Sequence, residues 1–113
     1  MTATIKQGDT YPPLLLTCHD GSDPVNLTGA LEARVRISTS PDAIPTVDAV
    51  CVIANQQDNP GEVTYEWQAG DTDTAGAYLV EVVITWPDGD QTFPADGYGR
   101  LRITDDLAET AIV

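Results

Sequence analysis

Basic side chains are scarce in this sequence. Five lysines and arginines stand against eighteen aspartates and glutamates, a net charge of −13 over 113 residues. A surface this acidic is repelled by phosphate backbones and anionic bilayers, so neither nucleic acid nor membrane is expected as a partner. Histidine occurs once and cysteine twice, too few for a Cys/His metal set. No apolar run approaches the roughly 18 residues that read as a membrane-spanning helix. The opening Met1-Thr2-Ala3-Thr4-Ile5-Lys6 lacks the charged and apolar regions of a signal peptide, so synthesis in a cytoplasm is expected. In that reducing compartment Cys18 and Cys51 are expected as free, buried thiols.

What is present is alternation. Between Tyr78 and Trp86 every second residue is large and apolar (Tyr78, Val80, Val82, Ile84, Trp86), the period of a strand with one face in a core. Pro87 ends it, and Pro87-Asp88-Gly89-Asp90 is turn chemistry. A second run sets Leu31, Ala33, Val35 and Ile37 against Glu32, Arg34, Arg36 and Ser38. Shorter strands are expected around residues 4–6, 14–18, 47–53, 63–67, 91–93 and 98–104, separated by clusters of Gly, Pro, Asn and Asp. Short strands at this spacing, with no helical pattern, predict an all-β, immunoglobulin-like antiparallel β-sandwich of seven to eight strands. A single domain over 1–104 and a C-terminal arm over 105–113 follow. Tyr78 stands where such sandwiches fasten a corner with a tyrosine hydroxyl. Tyr78, Trp86, Leu31, Val35 and Trp67 are expected together in the core.

Groups able to do chemistry are few. Cys18-His19-Asp20 has the residue types of a hydrolase set, but neighbours on a strand point to opposite faces, so thiol and imidazole cannot share a proton. No catalytic residue and no cofactor is expected. Asp20, Asp23, Asp88 and Asp90 could offer oxygen ligands to Ca²⁺ if their loops meet at one end of the sandwich. Ordinary turn chemistry is the competing account of those aspartates and the default one.

Three blocks carry a resemblance. Lys6-Gln7-Gly8-Asp9-Thr10 with Pro12-Pro13-Leu14 is similar to the opening of the immunoglobulin-like N-terminal domain of phage baseplate upper proteins. Pro24-Val25-Asn26-Leu27-Thr28-Gly29-Ala30 resembles that family's second block, and Thr74-Ala75-Gly76-Ala77-Tyr78 with Trp86-Pro87-Asp88-Gly89 its third. The blocks fall in the family's order and span about residues 4 to 104. The resemblance implies a structural module of a phage virion without catalytic residues. Baseplate upper proteins continue into further domains, whereas this sequence stops at Val113, which points to a free-standing virion protein made in the host cytoplasm.

Charge patterning suggests how such a module would assemble. Arg34/Arg36 and Arg100/Arg102 are alternate pairs, each pointing out from its strand on one face. With Glu81 between them, an Arg–Glu–Arg ladder is expected, either a solvated face or a docking face for an acidic neighbour. Ile112 and Val113 end the acidic terminal segment, and are expected to fold back on the domain or to pack on a neighbouring subunit. The function expected is therefore a non-enzymatic virion structural protein, in the tail or baseplate or as a head decoration, whose partners are other virion proteins and copies of itself. The alternative is an adhesion module whose end loops bind a host-surface glycan or receptor.

Overall fold

The computed structural model describes residues 2–107. Ten strands and no helix occur among them. They are β1 (Thr2–Lys6), β2 (Leu14–Thr17), β3 (His19–Asp20), β4 (Asp23–Pro24), β5 (Glu32–Ser38), β6 (Val47–Ile53), β7 (Glu62–Tyr65), β8 (Gly76–Trp86), β9 (Gly89–Phe93) and β10 (Gly99–Thr104). The class is all-β and immunoglobulin-like, as the alternation predicts. The strand number exceeds seven to eight because β3 and β4 close a two-residue ladder of their own.

The strands are hydrogen-bonded in the order β1-β10-β8-β5-β6-β7-β2, with β9 paired to β8. Every pairing is antiparallel except β1 with β10. β6 joins the two layers: residues 47–51 pair with β5, and Val52 and Ile53 pair with β7. The long strand β8 is the hub. It pairs with β5 along one side, and along the other with β10 near its start and β9 near its end.

The core lies where inward residues of both layers meet. Ala33, Val35, Ile37, Val80, Val82, Ile84, Leu101 and Ile103 pack in one cluster with Leu14, Leu16, Val63, Tyr65 and Trp67. Tyr78 is 6% exposed and its hydroxyl donates to the Thr74 carbonyl oxygen at 2.6 Å. That is the corner expected of this fold. Replacing Tyr78 with Phe removes one hydrogen bond and leaves the Thr74 carbonyl unpaired. The expected loss is about 1 kcal/mol, read as a lower urea midpoint at unchanged slope.

Two expectations about the core are corrected. Leu31 shares the parity of Ala33 and Val35 but precedes the first residue of β5 and is 67% exposed. Its backbone N–H donates to Thr85, yet nothing packs over its side chain. Trp86 is only partly buried, because it pairs with Gly89 at the hairpin tip and its indole N–H reaches out to Gln91 Oε1 at 2.9 Å. Trp86→Ala therefore costs less than a core tryptophan would.

Candidate functional site

The outward face of the β1–β10–β8–β5 layer is the most distinctive surface. Buried and exposed residues alternate along β5 and β10, which turns Arg34, Arg36, Arg100 and Arg102 outward. β1 pairs with β10 so that Ile5 and Ile103 face the core together, leaving Thr4 beside Arg102 and Lys6 beside Thr104 on the outer face. All five basic side chains of the chain therefore share one sheet face. Glu32, Asp48, Glu81 and Asp90 share it, so this face is near balance on a molecule of net charge −13 whose remaining acidic residues have no basic residue among them.

Glu81 sits on that face directly opposite Arg36, and Arg100 stands at the next outward step of β8, opposite Leu79. The register of the expected ladder is thus present. Its ion pairs are not. Arg34 Nη1 lies 3.1 Å from Asp48 Oδ1, Arg34 Nε 3.8 Å from Glu32 Oε2, and Arg36 Nε 3.9 Å from Asp48 Oδ2. The physical reason is the next strand. Asp48 of β6 is paired with Arg36 on the side away from β8 and is close to both guanidinium groups. These pairs are solvent-exposed and contribute a few tenths of a kcal/mol each. Among the described residues Lys6, Arg100, Arg102 and Glu81 have no ion-pair partner. A shallow recess lined by Arg36, Leu79, Glu81 and Tyr98 lies within the same face. Ile112 and Val113 lie outside the described residues.

A second candidate is a recess of about 390 Å³ at the edge between the layers, lined by Leu16, Cys18, His19, Asp20, Phe93 and Asp96 among others. It brings the loop after β9, and not the β8–β9 turn, up to Asp20. The four aspartates expected as a calcium set are therefore not assembled. Asp20 and Asp23 oppose each other in the β3–β4 ladder, while Asp88 and Asp90 belong to the β8–β9 hairpin. No group of three or more ligating side chains occurs among the described residues.

The thiols are free and buried. Cys18 is 1% exposed while the neighbouring His19 is exposed, so the two diverge as the strand argument requires. Burial first, and Cys51 second, push the Cys18 thiol up to about 12. Burial pushes the Cys51 thiol up to about 11, against the smaller opposing influences of a Val35 backbone hydrogen bond and Arg34. Both shifts disfavour the nucleophilic thiolate. Folded-state values raised above the ordinary 9.0 stabilise the fold fully below that pH. The contribution is lost as pH rises from about 9 through about 11 and 12. Alkaline melting should show stability falling in that window, and more steeply than in a Cys18→Ala, Cys51→Ala double variant. Ellman reagent at neutral pH should find two thiols after denaturation and react slowly before it.

Sequence reasoning missed a polar joint. Gln56, in a segment read simply as a loop, is buried with its side chain aimed inward. Its Oε1 accepts from Leu27 N at 2.9 Å and from Gly61 N at 2.7 Å. Its Nε2 donates to Ala54 O at 2.8 Å, with a longer contact to Glu62 O at 3.5 Å. A glutamine among Asn, Gln, Asp and Pro carries no signal of this role in sequence. A second joint ties the β7–β8 connection down: Tyr65 donates its hydroxyl proton to Asp71 Oδ2 at 2.5 Å, and Gln68 N donates to the same oxygen. Burial and then the Asp71 carboxylate raise the Tyr65 phenol well above its usual range.

Compared with known families, residues 37–92 match the Rib domain, an immunoglobulin-like repeat domain of surface proteins that is structural and not catalytic. The match covers just under half the chain, from the end of β5 into β9. No curated protein matches the chain.

Proposed function

We propose that this chain is a non-enzymatic, immunoglobulin-like structural module of a phage virion surface, working by assembly with its neighbours. The observation that carries the assembly reading is the gathering of all five basic side chains on one sheet face of a strongly acidic molecule. Complementary charge of this kind orients docking and excludes wrong partners more than it adds raw affinity. The Rib-domain likeness supports a module of surface proteins. The virion part of the reading rests on the three sequence blocks. In the fold they fall at the β1–β2 connection, at the segment entering β5, and at the tyrosine corner with the β8–β9 turn.

The alternative, adhesion to a host-surface glycan, has one observation in its favour. Tyr98 is 38% exposed, with Asp96 two residues before it in the same loop. Mass spectrometry of purified particles, with heads and tails separated, tests the proposal. The chain is expected in stoichiometric amount in one fraction. Its absence from both, together with binding of the purified protein to a glycan array, would favour the adhesion reading instead.

A further inference from the structure

The β1 strand is an open edge. Among the described residues it pairs only with β10, so every second backbone N–H and C=O along Thr2–Lys6 faces away from the sheet with no described partner. Beside that edge, on the outer face, stand Lys6, Arg100 and Arg102, with no ion-pair partner among the described residues. Beneath the edge runs an apolar groove between β1 and β2, lined by Ala3, Ile5, Pro13, Leu15 and Trp67. Leu15 is 57% exposed on its rim. The cations flank the outer face along the whole of β1, and Ala3 and Ile5 line the groove on its inner face. An extended segment that suits all three features therefore presents carboxylates on one face, small or aliphatic side chains on the other, and enough length to follow a five-residue strand.

The chain contains one. Asp105-Asp106-Leu107-Ala108-Glu109-Thr110-Ala111-Ile112-Val113 follows the last strand, with three acidic and no basic residues and an Ala-Ile-Val end. Extended, it reaches about 30 Å, against about 17 Å for the edge strand. Its described beginning is not packed on its own sheet: Asp105 and Asp106 are exposed and Leu107 is 88% exposed. We propose that residues 105–113 of one copy dock as an added strand along the β1 edge of a second copy. With strand alternation Asp105 and Glu109 share the face of Lys6, Arg100 and Arg102, and Ala108 and Ile112 share the face of the groove. This deepens the assembly reading by naming the partner as another copy of this chain and the contact as strand addition.

The test is self-association of the full chain, measured by sedimentation across a dilution series at low and high salt. Association is expected, weakening with salt because the contact is partly ionic. The Arg100→Glu, Arg102→Glu variant should weaken it at least about tenfold. So should the Asp105→Lys, Asp106→Lys, Glu109→Lys variant, and the two sets combined in one chain should restore it. Three results would overturn the proposal: a monomer at every concentration, association indifferent to both reversals, or reversals that are not rescued when combined. A chain cut after Thr104 that melts lower without any change in mass would overturn it as well, by putting the segment on its own domain. None of these touches the virion reading, which stands or falls on the particle composition.

Discussion

Replacing Gln56 with alanine should destabilise the protein by about 2–4 kcal/mol, a large effect for a side chain in a connecting loop. The substitution deprives Leu27 N–H and Gly61 N–H of their shared acceptor and Ala54 C=O of its donor. Each buried backbone group left unpaired costs about 1–3 kcal/mol, partly relieved where water can enter the space. Gln56→Glu separates the roles of the two side-chain ends. It keeps the acceptor for Leu27 and Gly61 but puts a carboxylate oxygen against the Ala54 carbonyl, so it too should lose stability at neutral pH. Protonating that carboxyl supplies a donor again, and the deficit relative to wild type should narrow as pH falls through the carboxyl range. Urea unfolding at neutral and acidic pH reads both effects. An unchanged midpoint for Gln56→Ala would mean that the joint does not hold the loops together.

Gly61→Ala should be comparably severe, about 2–4 kcal/mol. Gly61 has φ +80, a left-handed conformation that L-residues other than glycine adopt at a cost. A Cβ there would stand 2.7 Å from the Cys18 carbonyl oxygen and 3.2 Å from that of Val25, both backbone atoms that cannot swing aside. The same residue accepts from Cys18 N–H at 2.8 Å and donates to Gln56. Strain and steric overlap act on one joint, so part of the cost comes from the hydrogen bonds displaced with it. Gly29→Ala is the control. It has a similar φ of +90 but nothing within 4 Å of its Cβ position. It should cost only the backbone term, about 1 kcal/mol. Equal losses at the two positions would mean that conformation alone, and not the contact with Cys18, decides the effect.

These two residues also mark where the sequence ceased to be readable. The alternation along β5, β8 and β10 reveals which side chains enter the core, because a strand's faces repeat every second residue. Tyr78 could be assigned to a corner from its place before a strand. The face carrying the arginines was legible for the same reason, as outward positions of alternating strands. Pairing across the sheet was less so: Asp48 competes with Glu81 for Arg34 and Arg36, and only the register of β6 reveals it. Leu31 and Trp86 show the limit of periodicity, since the pattern continues past the point where another layer covers it. Gln56 and Gly61 act through contacts with residues far away in sequence, which no local pattern encodes.

The central claim is that this molecule assembles through its arginine-bearing sheet face. Arg100 and Arg102 are exposed and pair with nothing among the described residues, so reversing them to glutamate should leave the melting temperature close to wild type. The decisive measurement is the occupancy of the Arg100→Glu, Arg102→Glu variant on particles that lack the native copy. It should be set beside a variant reversing Asp88 and Asp90 to lysine in the β8–β9 hairpin. Loss of occupancy for the arginine variant alone, with both proteins folded, is the expected result. Normal occupancy of the arginine variant would contradict the account and move the contact to the loops.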